Sequence, residues 1–461
     1  MPRDWVADIE AGIAAVAAAA GPVRVAAAGP LPERRIAFVT RERRPADTDP
    51  WLPFEAAPGE LSAAAGVLRV GLGAAAGLTA ETARRAATAA GARLSGGAVA
   101  VELPPDRPDL VPALIDGLVT GCPGAGVTLH VPPDRLAAAE EGLLAADVAR
   151  LARLLVSAPA NVLTPRAAAE WARGIAGRAG LACTVLDRRQ VVEEGLGGLA
   201  AVGAGSANGP YLVTLDYPGP GSAAPDVALV GKGVTFDSGG LSLKSPAAMR
   251  SMRLDVAGAA TVLAVMAGLR RARCPLTVRA VLPFAENLPG PGATRPGDVV
   301  TAWNGTQIQI LDTDFEGRVL LADALAIAAA GRPGLLVDLA TLTYQAEIAL
   351  GPQIAAVLGR DDGAVARLLG AGAEAGEPLW RLPFAERYLD QVRIPSGVRN
   401  HPLHDSGRAI TAALFLGEFV PPDVPWVHCD MTGPAWSGDA SADGATGFGA
   451  RTLLRLVLPA A

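Results

Sequence analysis

Five nearly continuous apolar runs, all after residue 159, constrain the fold of this chain more than any other feature of its sequence. They alternate with Ala-rich segments that have the pattern of helices. Strands that are apolar on both faces are typical of a largely parallel sheet covered on both sides. We therefore predict a large α/β domain whose mostly parallel central sheet is flanked by helices. The runs are YLVTLDYP, DVALVG, LTVRAVLPFAEN, GLLVDLATLT and PWVHCDMTG.

A second, smaller α/β domain is predicted at the N-terminal end. Between residues 20 and 135, short β-rich runs such as RIAFVT and GVTLHV alternate with helix-like stretches. Apolar side chains then recur at helical spacing, with charges on the other face, which predicts one long helix joining the two domains. The predicted division is residues 1–134 for the N-terminal α/β domain, 135–158 for the connecting helix and 159–461 for the larger C-terminal domain.

Composition limits the possible partners of the chain. Its 461 residues are 50% apolar, enough for a substantial core, and its net charge is −6. No block rich in Lys or Arg is present, which argues against affinity for nucleic acid or an anionic membrane. The N-terminus is acidic where a signal peptide would be basic, and no apolar run reaches the roughly 18 to 20 residues that span a bilayer. We therefore expect a cytoplasmic protein.

The cysteines and histidines are spaced in ways that do not suit a metal site. The cysteines lack C-x-x-C spacing, which predicts reduced, packed thiols rather than disulfides or a thiolate zinc site. The histidines lack the i, i+4 spacing of a helical metal site, and we interpret them as structural or rim residues. These residues are Cys122, Cys183, Cys274, Cys429, His130, His401, His404 and His428.

Lysine usage is the sharpest signal in the composition. Of 40 basic residues only two, Lys232 and Lys244, are Lys, and both lie in the segment VGKGVTFDSGGLSLK. Arg stays protonated in proteins, whereas a buried Lys can lose its proton and present a neutral amine. We interpret the two positions as sites where Arg cannot serve, with coincidence as the alternative.

The segment ILDTDFEGRVLLADAL crowds three carboxylates, because Asp312, Asp314 and Glu316 occupy alternate positions before an apolar helix. Carboxylates at such short separations raise each other's pKa unless water or a cation compensates their charge. For this segment alone, a solvated acidic turn is the ordinary alternative. Strand alternation would place the three carboxylates on one side and direct Thr313 and Phe315 away.

Two further carboxylates lie near the ends of predicted strands. Asp237 follows the run DVALVG on a Gly-rich loop, which alone could be a plain turn or a phosphate-binding loop. Asp255 starts a helix of small residues, where alone it could be a helix cap. Ligand sites of parallel α/β sheets lie outside the carboxyl ends of the strands. Hard oxygen ligands with one amine suit two divalent cations about 3.5 to 4 Å apart, which would hold Lys232 deprotonated. The predicted set is Lys232, Asp237, Asp255, Asp314 and Glu316.

Five segments of the chain also carry a family resemblance. They are VGKGVTFDSGGLSLK, MRLDVAGAA, ENLPGPGATRPGDVV, DTDFEGRVLLADAL and DLATLT. Together they resemble the signature segments of the leucyl aminopeptidase family of dinuclear-zinc exopeptidases, family M17. Flanking pieces extend the similarity over nearly all of residues 155 to 457, whereas the N-terminal third matches only in its α/β character and its connecting helix.

The resemblance implies two divalent metal ions, Zn or Mn, and assigns the ligands. Asp237 and Glu316 would bridge the two metals. Lys232 and Asp255 would complete the tighter site, and Asp314 the more exchangeable one.

The resemblance also implies the remaining catalytic parts. Lys244 and Arg318 would be the catalytic cations: Lys244 would stabilise the developing oxyanion, and Arg318 would bind a bicarbonate that relays the proton. A peptide or aminoacyl substrate and a homohexamer whose sites face an interior cavity are implied as well.

The chain departs from the family pattern at five positions. Asp312 and Phe315 stand where Asn and Ala are usual, Tyr344 and Arg408 where Gly is common, and Thr432 where Ala is usual. We interpret Phe315 as a packing change and Asp312 as a change in the site itself. The larger residues at 344 and 432 should narrow the side-chain pocket and disfavour bulky Leu-like side chains. The predicted pocket residues are Met252, Asp312, Thr341, Tyr344, Thr432 and Ala435.

The sequence thus predicts a metal-dependent aminopeptidase that releases N-terminal residues from peptides. Its altered pocket would suit small or polar residues or a peptide-like biosynthetic intermediate. One alternative is a non-catalytic family member that acts as a scaffold or DNA-binding regulator, against which the intact ligand set and the acidic net charge weigh. Two-metal phosphoester hydrolysis would fit the carboxylates but leaves a neutral Lys ligand unexplained.

Overall fold

Two sheets, each covered by helices, organise the chain. The computed structural model describes residues 4–18, 21–29, 32–45, 54–124, 126–219, 224–438 and 444–458. One sheet has six strands and the other nine, and smaller sheets of four and two strands complete the described strands. The α/β class expected from the sequence is confirmed.

The six-stranded sheet is built from the N-terminal part of the chain. Its strands are β1 (Val23–Ala27), β2 (Arg35–Val39), β3 (Leu61–Ala64), β4 (Val67–Gly71), β5 (Gly97–Glu102) and β6 (Val127–Val131). They lie in the order β1–β6–β5–β2–β4–β3, and only β3 is antiparallel to its neighbour. Strand β3 is absent from the sequence prediction. It reaches β4 through Ala65 and Gly66, whose φ angles of 50° and 77° suit a tight hairpin turn.

Helices cover this sheet and connect it to the second one. The first four are α1 (Trp5–Ala18), α2 (Ala80–Gly91), α3 (Val111–Gly121) and α4 (Leu136–Ser157). Helices α2 and α3 pack closely against each other. A Cβ at Gly121 would lie 2.1 Å from the carbonyl oxygen of Thr88, so this close approach of the two backbones needs glycine.

Helix α4 belongs to both hydrophobic cores. Ala139 and Leu143 near its start are buried in the core of the six-stranded sheet, whereas Leu151 and Leu155 near its end are buried in the core of the nine-stranded sheet. Helix α1 precedes the six-stranded sheet in the chain, yet its Ile9 is buried in the second core. The domain boundaries proposed from the sequence remain a prediction.

The nine-stranded sheet is the frame of the larger, C-terminal part. The strands of this part are β7 (Ala182–Leu186), β8 (Tyr211–Tyr217), β9 (Val227–Gly231), β10 (Gly233–Asp237), β11 (Val278–Asn287), β12 (Val299–Thr301), β13 (Gln307–Gln309), β14 (Leu335–Ala340), β15 (Ala355–Leu358), β16 (Leu379–Arg381), β17 (Arg393–Ile394), β18 (Gly397–Arg399), β19 (Trp426–Asp430), β20 (Trp436–Ser437) and β21 (Gly444–Ala445). Eight of them lie in the order β16–β15–β19–β14–β9–β11–β8–β7, and β10 also pairs with β11. The central strands β19, β14, β9 and β11 are parallel, whereas β15 and β8 run antiparallel to their inner neighbours.

Helices pack on both faces of this sheet, as its apolar strands predict. They include α5 (Pro165–Ala179), α6 (Arg188–Glu193), α7 (Gly197–Val202), α8 (Pro246–Met249), α9 (Ala257–Gly268), α10 (Glu316–Ala330), α11 (Tyr344–Leu350), α12 (Asp362–Ala375), α13 (Arg408–Gly417) and α14 (Ala450–Val457). Alternate residues of β9 enter different cores: Val227 and Leu229 pack in the core that contains α9, and Ala228 and Val230 in the core that contains α10. The middle of the sheet is therefore buried on both sides.

Membrane-spanning helices and disulfides are two features that the described residues do not contain. None of the helices in the described ranges is both long and apolar enough to cross a bilayer. The four cysteines all lie within these ranges and are free thiols, and two of them, Cys274 and Cys429, are buried.

Candidate active site

Lys232 follows β9 directly and is buried among acidic groups. Its Nζ lies 2.8 Å from Oδ1 of Asp255 and 2.9 Å from Oε1 of Glu316, and it donates a 2.8 Å hydrogen bond to the carbonyl of Thr341. Burial works to lower the pKa of Lys232, but Asp255, Glu316 and Asp237 outweigh it, so the pKa is raised. The neutral amine expected from the sequence therefore requires cations that compensate these carboxylates.

Gly317, in the first turn of α10, makes room for this lysine. A Cβ at this position would lie 2.5 Å from Cε and 2.6 Å from Nζ of Lys232. The Lys232 side chain therefore reaches its partners only because a glycine faces it.

Asp237 ends β10, and three contacts fix its carboxylate. Oδ1 accepts hydrogen bonds from the N–H of Gly239 at 2.9 Å and from Nδ2 of Asn287 at 2.8 Å, and Oδ2 lies 2.8 Å from Nζ of Lys244. Lys244 also forms an ion pair with Asp314. Burial opposes the charge of Lys244, but the neighbouring carboxylates, Asp237 first among them, raise its pKa. The two lysines of the chain thus face the same acidic cluster.

Asp255 lies in the 3-10 turn Met252–Val256, just before α9. Its Oδ1 contacts Lys232 and accepts a 2.7 Å hydrogen bond from the hydroxyl of Thr341. Its Oδ2 is buried and has no hydrogen-bond partner among the described residues. A buried carboxylate oxygen in this condition is costly unless a cation binds it.

Residues 311–315 form a turn rather than a strand, so the expected alternation of their side chains is wrong. The N–H of Asp314 donates a 2.9 Å hydrogen bond to Oδ1 of Asp312, which is an Asx turn, and such local bonds compete with extended structure. Thr313 does not point away, because it is buried and its hydroxyl donates to a carbonyl of the loop after β10. Glu316 then begins α10.

Three buried carboxylates, Asp237, Asp255 and Glu316, are close enough to share a metal ion, because one oxygen from each lies within 4.8 Å of the others. Burial raises the pKa of Asp255 and of Glu316, and it raises that of Asp314 to about 7; the charge of Asp237 adds to each shift. Divalent cations with oxygen ligands would relieve this crowding. Together with the unpartnered Oδ2 of Asp255, these residues fit a divalent metal site.

Comparison with known proteins identifies the family. Residues 150–454 match the model of the cytosol aminopeptidase family, catalytic domain, which is well over half of the chain. The chain belongs to the cytosol aminopeptidase family. The family resemblance seen in the sequence is thereby confirmed, and the acidic cluster lies within the matched region.

Two relatives are each named "Probable cytosol aminopeptidase". The protein of Syntrophotalea carbinolica is 45% identical over 311 residues, which cover 67% of this chain and 62% of that protein. The protein of Roseiflexus castenholzii is 43% identical over 338 residues, covering 71% of this chain and 69% of that protein. The chain thus spans less than two thirds of the length of the first of these family members.

Solved structures extend the likeness to the N-terminal part. The bottromycin maturation enzyme BotP in complex with Mn matches with a TM-score of 0.85 and 38% identity, covering 92% of this chain and 98% of that one. A second BotP structure matches with a TM-score of 0.84 and 40% identity, covering 92% and 99%. The two-part α/β architecture is therefore shared over nearly the whole chain.

Arg318 lies in the first turn of α10, and its side chain is buried with few polar contacts. Its Nη1 donates a 3.0 Å hydrogen bond to the carbonyl of Asn400, and its Nε has no partner within the part of the chain that the structure describes. Burial lowers the pKa of Arg318 to about 10, although Glu316 and Asp430 pull in the other direction. The side chain therefore stays charged at neutral pH, and its guanidinium carbon lies 4.6 Å from the centroid of the Phe315 ring.

The six residues predicted to line a substrate pocket differ in burial. The buried ones are Thr341 and Ala435, the partly buried ones are Met252, Asp312 and Thr432, and the exposed one is Tyr344. The hydroxyl of Thr432 donates a 2.7 Å hydrogen bond to Asp430 and accepts one from the N–H of Thr343, so the protein itself satisfies its polarity. Tyr344 begins α11 with 65% of its surface exposed. The role of these six residues as a pocket stays a prediction.

Two asparagines that the sequence analysis did not single out hold the site together. Nδ2 of Asn287 donates to Asp237 at 2.8 Å and to the carbonyl of Thr313 at 2.9 Å. Nδ2 of Asn400 donates a 2.6 Å hydrogen bond to the carbonyl of Asp312. Asn287 lies in the quoted segment ENLPGPGATRPGDVV, but no motif marks Asn400, which is 88 residues from its partner.

The structural or rim role expected of the histidines stays a prediction, and His401 packs on Phe315 with 4.5 Å between ring centroids. Within the described residues, no histidine joins the group that could hold a metal. His428 is fully buried, with Nδ1 2.6 Å from Oδ1 of Asp338. Burial works to lower the pKa of His428, but the charge of Asp338 outweighs it and the pKa is raised.

Proposed function

We propose that this chain is a metal-dependent aminopeptidase that releases N-terminal residues from peptides and holds two divalent cations, Zn or Mn. The observation that carries the proposal is the buried cluster of three carboxylates around Lys232, with one carboxylate oxygen left without a partner. Membership of the cytosol aminopeptidase family supports it. The proposed ligands are Lys232, Asp237, Asp255, Asp314 and Glu316.

The two catalytic cations of the chain would act beside these ligands. When bound, the metals supply an activated water and polarise the scissile carbonyl. Lys244 is held by Asp237 at 2.8 Å, and its side chain keeps 15% exposure, so its ammonium can donate to the developing oxyanion. Arg318 is a buried cation with a free Nε, which supports its proposed role in holding a bicarbonate that relays the proton.

The substrate is proposed to be a peptide with a small or polar N-terminal residue or a peptide-like biosynthetic intermediate. The likeness to a bottromycin maturation enzyme over 92% of the chain supports such a substrate, and the Mn in that structure supports Mn among the candidate metals. Tyr344 and Thr432 at the predicted pocket support selection against bulky apolar side chains. No observation favours the non-catalytic alternative.

A homohexamer in the cytoplasm is proposed from the family resemblance. The names of the relatives, cytosol aminopeptidases, support the location. Light scattering of the purified protein would test the assembly, and a monomer at micromolar concentration would contradict it.

The proposed activity is tested by a hydrolysis screen. Metal-depleted protein is supplied with Zn, Mn or Co and assayed on aminoacyl amides, dipeptides and one phosphoester. We expect release of the N-terminal residue that depends on added metal, and loss of turnover in Asp255→Asn, which keeps the side-chain shape but removes its charge. Turnover of the phosphoester alone would favour phosphoester hydrolysis, and salt-dependent DNA binding without turnover would favour the non-catalytic alternative.

A further inference from the structure

Phe315 contacts two arginines at the edge of the proposed active site. The guanidinium carbon of Arg318 lies 4.6 Å from the centroid of the Phe315 ring, and that of Arg408 lies 5.3 Å from it. A guanidinium within about 6 Å of an aromatic centroid is attracted by the negative face of the ring. The ring of His401 also packs on Phe315, with 4.5 Å between centroids. Phe315 is therefore the common contact of two cations.

Arg318 has little else to fix its orientation. Its side chain makes one described hydrogen bond, from Nη1 to the carbonyl of Asn400, and its Nε is buried without a partner. One hydrogen bond constrains the orientation of a guanidinium only weakly, and the Phe315 ring, with its centroid 4.6 Å from the guanidinium carbon, adds an attractive contact. Phe315 supplies that second constraint.

Arg408 adds to the same arrangement from the start of α13. Its side chain forms an ion pair with Asp405, and its Nε is also buried without a partner. The positive charges of two neighbouring guanidinium groups repel each other unless other groups compensate them. The ring of Phe315 and the carboxylate of Asp405 compensate the second charge. Neither Ala at 315 nor Gly at 408 could make these contacts.

We propose that Phe315 and Arg408 are positioning residues that together set the orientation of Arg318. The inference rests on the proposed function, in which Arg318 acts beside the reacting groups. It assigns a joint role to Phe315 and Arg408, which the sequence analysis treated separately as departures from the family pattern.

Two substitutions of Phe315 separate the aromatic face from bulk. Phe315→Leu keeps an apolar side chain of similar volume but removes the ring, and Phe315→Tyr keeps the ring. We expect Phe315→Leu to lower kcat about tenfold with KM changed less than twofold, which corresponds to the worth of a desolvated cation–π contact. Phe315→Tyr should keep kcat within about twofold of the wild-type value. Equal kcat in Phe315→Leu and the wild type would overturn the proposal.

Arg408→Gln tests whether the two residues act together. This variant keeps a long polar side chain at a partly exposed position, so the fold should survive even if Phe315→Leu does not fold. We expect Arg408→Gln to lower kcat about threefold, and the double variant with Phe315→Leu to be no slower than Phe315→Leu alone. Multiplicative effects of the two changes on kcat would contradict a joint role.

Crystal structures give a readout that does not depend on turnover. In Phe315→Leu, or in Arg408→Gln if the first does not fold, the Arg318 guanidinium should shift or lose its hydrogen bond to Asn400, while Phe315→Tyr should retain both. If the Arg318 guanidinium kept its position, the proposal would be overturned even if kcat fell. The proposal would also be overturned if the guanidinium shifted and kcat stayed unchanged. If the wild type hydrolysed no peptide, the proposed function would fail, and the position of Arg318 would still decide this inference.

Discussion

Asn287 fixes Asp237 through a hydrogen bond of 2.8 Å from its Nδ2 to Oδ1 of the carboxylate. The same amide donates to the carbonyl of Thr313, so one side chain ties the end of β10 to the turn before α10. These two segments carry two of the five proposed ligands, Asp237 and Asp314, and Glu316 follows at the start of α10. The geometry of the site therefore depends on a residue that binds no metal itself.

We expect Asn287→Ala to weaken metal binding about 10- to 100-fold, because Asp237, a proposed metal ligand, loses its orienting donor. The measurement is a titration of metal-depleted protein with Mn, followed by calorimetry. Asn161→Ala is the matched control, since Asn161 is exposed. Equal affinity in both variants would show that Asn287 has only a structural role.

Lys232→Arg should lower metal content and turnover together. A guanidinium is larger than an amine and does not lose its proton, and the space around Nζ is filled by three partners at 2.8 to 2.9 Å. Lys244→Arg is the control, because it preserves a cation that need not be neutral; it should retain metal and lose mainly kcat. Full metal occupancy and turnover in Lys232→Arg would show that a neutral amine is not required.

Gly317→Ala should weaken metal binding without unfolding the protein. Alanine favours a helix by about 1 kcal/mol over glycine, but its Cβ would lie 2.5 Å from Cε of Lys232 and displace that side chain. Gly370→Ala in α12 is the control, since a Cβ there meets nothing within 4 Å. Thermal unfolding and metal titration of both variants check the prediction, which fails if Gly317→Ala binds metal as tightly as Gly370→Ala.

Asp312→Asn isolates the effect of one charge. The amide oxygen of Asn can still accept the 2.9 Å hydrogen bond from the N–H of Asp314, so the turn should persist while a negative charge is removed. We expect a several-fold change in metal affinity or in the preference for the charged terminus of the substrate. Kinetics across a panel of dipeptides and their amides measure this; identical profiles for variant and wild type would show that Asp312 serves the turn alone.

Asp323 should make stability depend on pH. It is fully buried, and burial raises its pKa from 3.8 to about 6, although the N–H groups of Leu199 and Trp303 donate to it at 2.8 Å. Between pH 4 and 6 the folded protein keeps a proton that the unfolded chain has released, so the stability from this group falls as pH rises, by about 3 kcal/mol in total. Urea unfolding at pH 4.5 and 7 should show a smaller pH dependence in Asp323→Asn than in the wild type.

The candidate site could be proposed from the sequence because its residues follow apolar strands or start helices. Lys232 and Asp237 come at the ends of β9 and β10, and parallel strands bring such ends to one edge of a sheet. The rarity of lysine marked Lys232 and Lys244 independently of any fold. Both signals are local in sequence, which is why they could be read without a structure.

The parts that were missed depend on contacts between distant residues or on turn chemistry. Asn400 meets the acidic turn from 88 residues away, and nothing in its own neighbourhood indicates this contact. The alternation of carboxylates from Asp312 to Glu316 resembles a strand, but the Asx turn that the side chain of Asp312 forms replaces the extended structure. Strand β3 lacks an apolar run and is specified by its hairpin turn.

The burial of α1 in the core of the nine-stranded sheet has a practical meaning for dissection of the chain. The family match begins at residue 150, yet Ile9 of α1 and Leu144 of α4 are buried in the same core as the sheet that carries the ligands. A fragment cut at the start of the match would leave this surface bare to water. The segment that matches the family model is thus smaller than the unit that shares this core.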